Sequence, residues 1–331
     1  LFQSRRLVPS WSFKTVIGNG FKRLFLAYAS HVRMMPFYAS ALQLKECYVL
    51  VNPGPAELYP GVIRHTTVKP TSMPAVWLPA PLSDPEYARV LIHFQGGTFV
   101  LALDPVPTGT PAAKVFAKVL NAITCYAQDR LARDDRSRFP AAVQDAVSFY
   151  QYVLDQGVRP ANIIISGDSA GGSVAIGLMR YIESTKFLPS PSGVMLSSPW
   201  ADVSAGAITN YSKSKSLKVD FLGLELIWWG KAAYEPKSKD YSEETDCYLR
   251  PVEHPLRSSV PIFVNSGSAE LFHDEITLFV ERMNGVAGNR VQYVGTKDAM
   301  HDLILCGLSF GFEKEAQDAV KLAASFFDRG N

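Results

Sequence analysis

The stretch Ile163-Ile164-Ile165-Ser166-Gly167-Asp168-Ser169-Ala170-Gly171-Gly172 decides how this chain is read. Three consecutive isoleucines suit a strand covered on both faces, where apolar residues need not alternate with polar ones. The glycines that follow suit a strained turn, and AGGSVAIGLMRYI (170–182) reads on as a helix of small and apolar residues. Such a turn lifts one side chain clear of the sheet, and here that side chain is Ser169. The N–H of Ala170, at the helix start, would face a developing oxyanion with the helix dipole behind it.

The pattern G-x-S-x-G occurs again at Gly307-Leu308-Ser309-Phe310-Gly311. No strand precedes that copy, and LILCGLSFGFEKEAQDAVKLAASFF (303–327) runs straight into an amphipathic terminal helix. Ser309 is therefore read as a loop or helix-start residue and Ser169 as the nucleophile.

Working outward, β-rich runs recur at GVIRHTTV (61–68), AVWLP (75–79), RVLIHF (89–94), AITCYA (122–127), GVMLSS (193–198), PIFVNS (261–266) and VQYVG (291–295). Helix-sized segments separate them from residue 110 onward. This rhythm predicts an α/β fold with a mainly parallel sheet covered on both sides, the first two runs forming an antiparallel edge. No strand is expected between Asp202 and Pro261, so about 203–258 reads as an insertion whose aromatic stretch FLGLELIWWGKAAY (221–234) offers Trp228 and Trp229 to a pocket. In residues 16–35, Phe21, Leu24, Phe25, Tyr28 and Val32 share one helical face, with Lys22, Arg23 and Arg33 elsewhere on the wheel. Docking of that apolar face onto the protein's own body is expected, in preference to membrane attachment.

A neutral serine hydroxyl needs a base and an orienting carboxylate. Of the six histidines, His301 follows the last strand in KDAMHDL, where a loop can reach the carboxyl edge of the sheet. His93 lies inside a strand and reads as a core residue. After PIFVN, the segment SGSAELFHDE offers Glu270, Asp274 and Glu275; Glu270 is nearest the strand end, and the other two suit the first turn of a helix. The proposed order is Ser169, Glu270, His301.

Composition bounds the rest. The 331 residues are 47% hydrophobic and 19% charged, with a formal charge of +2, ordinary values for a globular chain and no sign of a nucleic-acid partner. Cys47, Cys125, Cys247 and Cys306 are scattered without metal spacing and read as reduced thiols. No metal site or phosphate loop is apparent, so no cofactor is expected. The thiols and the lack of an evident signal lean toward a cytoplasmic location, although a chain starting at Leu1 leaves a removed targeting segment open. Homodimer formation is left open.

GDSAGG (167–172), ELFHDE (270–275), DAMHDL (298–303), RLARDDRSRFPAAVQDAVSFYQYV (130–153) and SSPWAD (197–202) together resemble the hormone-sensitive-lipase-like esterases and lipases of the α/β-hydrolase fold, fungal members included. The resemblance implies a catalytic domain over 61–331, with residues 1–60 and the 203–258 insertion forming a helical cap. It departs at HFQGGTF: the branch usually has His-Gly-Gly-Gly where this chain has Gln95-Gly96-Gly97-Thr98. By analogy Gly96 and Gly97 join Ala170 as oxyanion donors, while Gln95 and Asp168 belong to the pocket floor. The expected activity is carboxylic-ester hydrolysis on a small-molecule substrate. Two rivals are a biosynthetic hydrolase acting on a lactone, acetate or polyketide-like intermediate in secondary metabolism, and a silent binding protein.

Overall fold

The computed structural model describes residues 6–36, 38 and 41–329. Its strands are Tyr48–Val51 (β1), Met73–Leu78 (β2), Arg89–Phe94 (β3), Ala122–Ala127 (β4), Ile163–Asp168 (β5), Gly193–Ser197 (β6), Ile262–Gly267 (β7) and Val291–Thr296 (β8). They form one sheet in the order β1-β2-β4-β3-β5-β6-β7-β8. β2 runs antiparallel to both β1 and β4, and every other pairing is parallel.

The continuous apolar runs are explained by what each face meets. Ile163 and Ile165, Val194 and Leu196, and Ile262 and Val264 point into one core, whereas Ile164, Met195 and Phe263 point into the other. Helices Ala141–Asp155 and Ser169–Thr185 cover the first face. Helices Pro105–Leu120, Leu303–Phe310 and Glu313–Asp328 cover the second. In chain order the helices are Phe13–His31 (α1), Ala41–Leu44 (α2), Pro105–Leu120 (α3), Ala141–Asp155 (α4), Ser169–Thr185 (α5), Ala205–Tyr211 (α6), Leu224–Tyr234 (α7), Glu243–Leu249 (α8), His273–Asn284 (α9), Leu303–Phe310 (α10) and Glu313–Asp328 (α11).

Three expectations need correction. Residues 61–68 are not a strand: Gly61–Ile63 is a 3₁₀ turn entered at Gly61 with φ +56°. Ile63 and Val68 are fully buried there, and the Gln144 carboxamide supplies donors to their carbonyls at 2.7 and 3.0 Å, replacing a neighbouring strand. The antiparallel edge is instead β1 on β2, with Tyr48 opposite Val76. Lastly, α1 docks by the wrong face for an ordinary amphipathic helix. Thr15, Asn19 and Ser30 are buried, while Phe21, Leu24 and Tyr28 are 71%, 73% and 63% exposed.

Candidate active site

Ser169 begins α5 immediately after β5, in the left-handed region at φ +51°. The turn is tight enough to dictate its glycines. A Cβ on Gly171 would stand 2.0 Å from the Phe94 carbonyl, and one on Gly167 would stand 2.2 Å from the Gly171 carbonyl. Any larger residue would push the elbow off the sheet. Ser309 occupies no such turn, lying in the last residues of α10, although it contributes to the cavity wall.

Ser169 and His301 open into one cavity of about 340 Å³. Phe21, Lys22 and Phe25 of α1 and Phe221, Leu222 and Leu226 of the insertion cover it, and Gln95 to Thr98 line its floor. Glu270 lies behind the histidine, fully buried, with its Oε2 3.9 Å from His301 Nδ1. That oxygen accepts from the Ser198 hydroxyl at 2.6 Å and from the Gly267 N–H at 3.0 Å. The 3.9 Å gap is longer than a hydrogen bond, a common state of catalytic contacts before substrate arrives. The imidazole is held edge-on between Phe221 and Phe272, with centroids 5.7 and 5.2 Å away. Ser169 and His301 thus share the cavity with Glu270 behind the imidazole, and neither ring nitrogen of His301 has a hydrogen-bond partner among the described residues. Asp274 and Glu275 sit in the first turn of α9. Glu275 is spent on the N–H groups of Ala201 and Asp202 and on the Tyr211 hydroxyl.

Burial pushes the His301 imidazole down to about 3, and the Lys22 ammonium adds to the shift. A lowered value keeps the imidazole neutral, the form a general base needs, across the whole mildly acid range. The acid limb of kcat/KM for a soluble ester is therefore expected below pH 5. Asp302, pushed up to about 7 by burial and by Asp168, also lines the wall, so the profile is best read in wild type and in Asp302→Asn. Half-loss near pH 6.5 in both proteins would show that His301 is not held neutral.

The floor differs from expectation in one respect. The Gly96 N–H donates to Asp168 Oδ1 at 2.8 Å, and His93 Nε2 lies 3.1 Å from the same oxygen. Gly96 is therefore not free to bind an oxyanion. Its amide ties the loop to the elbow. Among the described residues nothing takes the N–H of Gly97 or Thr98. These lie in left-handed conformations at φ +127° and +52°, and a Cβ on Gly97 would meet the Leu101 carbonyl at 2.1 Å. Sequence reading passed over Thr98 because of its side chain, although its backbone N–H is as unpaired as that of Gly97. Gln95 is 8% exposed, and its amide nitrogen has no partner among the described residues. Asp168 and Gln95 both line the cavity as expected.

Trp228 and Trp229 do not line it. Trp228 is 43% exposed, and Trp229 lies between the guanidinium groups of Arg33 and Arg133, 4.6 and 5.1 Å from its ring centre. Helix α7 reaches the site through Leu226 and through Gly230, whose missing Cβ lets the helix approach the Thr98 carbonyl; a Cβ there would stand 2.2 Å from it.

Asp220, in the insertion and fully buried, had given no signal in the sequence. Its carboxylate accepts from the N–H of Phe221 and of Leu271, both at 2.7 Å, and from the backbone of Leu222 and His301. One side chain thus joins the insertion to the Glu270 loop and to the His301 loop.

The sheet order, the elbow serine and the histidine after the last strand define a class. The profile of the family described as alpha/beta hydrolase fold matches residues 91–305, and the chain belongs to that family. Its branch is the hormone-sensitive-lipase-like one, whose motifs are those quoted above from the sequence. An acetyl-hydrolase of Streptomyces hygroscopicus is 28% identical over 196 residues, 56% of this chain and 59% of that protein. An esterase of Acinetobacter venetianus is 32% identical over 145 residues, 44% of this chain and 46% of that one. The chain thus aligns with about half the length of these relatives. An esterase structure from the bacterial hormone-sensitive lipase family superposes with a TM-score of 0.63 at 18% identity, covering 93% of this chain and 97% of that one.

Proposed function

We propose that the chain is a serine carboxylic-ester hydrolase for small esters with short acyl groups. The observation that carries this reading is the single cavity shared by Ser169 and His301, with Glu270 buried behind the imidazole. In the proposed cycle, Ser169 Oγ attacks the acyl carbonyl while His301 takes its proton. Glu270 holds the imidazole in the useful tautomer and stabilises its charged form. The N–H groups of Gly97, Thr98 and Ala170 receive the tetrahedral oxyanion, an interaction typically worth about 3 kcal/mol per donor. His301 then protonates the departing alcohol, and a water repeats the sequence in reverse to free the acid.

Residues 1–60 and the 203–258 insertion act as the cap in this reading, because α1 and the Phe221–Leu226 segment close the cavity from above. About 340 Å³ is at the small end for ligand pockets, which limits the acyl and alcohol groups together. The name of the Streptomyces relative, an acetyl-hydrolase, agrees with a short acyl group. The unpaired Gln95 amide provides a donor where the branch usually has histidine.

The test is a panel of p-nitrophenyl esters from acetate to decanoate, with a bulky aromatic lactone alongside. Acetate or butyrate is expected to exceed decanoate in kcat/KM by about tenfold or more, about 1.4 kcal/mol of discrimination. Preference for the lactone would move the assignment to the biosynthetic reading. Silence toward every ester, with no labelling by a fluorophosphonate, would end the hydrolase reading.

A further inference from the structure

Helix α1 is built inside out. Its polar side chains face the protein: Asn19 Nδ2 donates to the Val219 carbonyl at 2.8 Å, Thr15 Oγ1 to the Phe310 carbonyl at 2.7 Å, and an Arg23 N–H to the Asp220 carbonyl at 2.9 Å. Lys22 reaches into the cavity wall, 2.5 Å from Cys306 Sγ. Its apolar side chains face outward. Phe13, Ile17, Phe21, Leu24, Tyr28 and Val32 follow one another every three or four residues, and each is between 45% and 73% exposed. A contiguous apolar stripe of this kind is uncommon on a free surface and marks a contact with something apolar. The polar anchors fix the helix in this orientation, so the stripe cannot be hidden by rolling the helix over.

Charge says what the contact is. No Asp or Glu occurs before Glu46, whereas seven Lys or Arg do, in a chain whose total is only +2. At the end of the stripe Arg33 is exposed, its guanidinium lying over the Trp229 ring, and Lys14 is exposed but ion-paired with Glu313 at 2.5 Å. A two-fold contact between copies through this face would bring like charges together, whereas anionic headgroups complement them. Position points the same way. Phe21 belongs both to the exposed stripe and to the wall of the cavity that holds Ser169, with Phe25 and Leu26 just behind it. No helix among the described residues is long and apolar enough to cross a bilayer, so the arrangement suits a helix lying in the interface plane.

We infer that α1 seats the protein on an anionic lipid surface, with its apolar stripe in the headgroup–acyl boundary and the cavity mouth turned toward the lipid. An apolar ester held in that surface would then reach Ser169 past Phe21 without crossing water; this last consequence, unlike the docking itself, rests on the hydrolase reading above.

The experiment is vesicle co-sedimentation of the full chain, which needs no turnover and is therefore independent of the catalytic assignment. Vesicles of phosphatidylcholine alone are compared with vesicles of about seven parts phosphatidylcholine to three parts phosphatidylserine. Wild type is expected to partition about tenfold or more in favour of the anionic vesicles, and several-fold less as NaCl rises from about 0.1 to 0.5 M. Ile17→Glu/Leu24→Glu, which alters two exposed positions outside the cavity wall, should lose at least about tenfold in partition while keeping the wild-type kcat/KM on soluble p-nitrophenyl acetate. If that substrate proves inactive, an unchanged Tm serves as the folding control. Wild type remaining in the supernatant with both vesicles would overturn the inference, as would wild-type partition by the double variant. Sedimentation velocity showing a wild-type dimer that the double variant converts to monomer would assign the stripe to a second copy instead.

Discussion

Ser169→Ala is expected to lower kcat on a short-chain p-nitrophenyl ester by about 10⁵- to 10⁶-fold, since removing the nucleophile of a triad costs about as much as removing the triad. What remains, about 10³-fold over water, would come from binding and from the backbone donors of the loop. The fold should be indifferent. Ser169 already sits at φ +51°, its carbonyl still receives the Trp200 N–H at 2.9 Å, and alanine keeps the Cβ that the turn accommodates. Thermal unfolding within about 2 °C of wild type, together with lost fluorophosphonate labelling, separates loss of chemistry from loss of structure. Turnover within tenfold of wild type would remove Ser169 from the mechanism and Gly167–Gly172 from any catalytic role.

Glu270→Gln should cost about 10⁴-fold in kcat with KM nearly unchanged, because the side chain does not line the cavity. A glutamine can keep one oxygen toward the Ser198 hydroxyl and the Gly267 N–H. That same oxygen still faces His301 Nδ1 but is now uncharged, so the imidazolium formed when Ser169 gives up its proton loses its counter-charge. Stability should not suffer. Burial pushes the Glu270 carboxyl well above the usual carboxylate range, and a neutral amide escapes that cost. Glu275→Gln is the contrasting variant. Its partners are the Ala201 and Asp202 amides and the Tyr211 hydroxyl, so its effect should appear in the melting temperature and not in kcat. Equal kcat losses in the two variants would mean that Glu270 supports the loop without orienting the base.

The central strands were legible because a strand covered on both faces must be apolar at every position, and Ile163-Ile164-Ile165 sends alternate side chains into two cores. The positions expected of a triad could be picked out because Ser169, Glu270 and His301 each lie within a few residues of a strand's carboxyl end. Residues 61–68 misled for a related reason: Ile63 and Val68 are as buried as strand residues, but a side-chain amide from Gln144 satisfies their carbonyls. Tyr48–Val51 is a four-residue edge strand, too short to produce a pattern. Gly96 was assigned to the wrong task because nothing in its neighbours reveals that Asp168, 72 residues away, consumes its amide. The tryptophans misled because aromatic content does not say which side of a helix faces the cavity. The periodicity of α1 gave a correct helix and a correct stripe. It could not tell an apolar face that packs inward from one that awaits a partner.

Asp220 makes the roof and the reaction centre mechanically inseparable. Swapping residues 203–258 for the corresponding piece of a relative, the obvious way to transplant specificity, would remove the one acceptor on which the backbones of Leu271 and His301 converge, so a chimera would arrive with two loosened loops whatever its new roof recognised. Redesign of what the cavity accepts is better confined to single positions such as Leu222 and Leu226, with the carboxylate left in place.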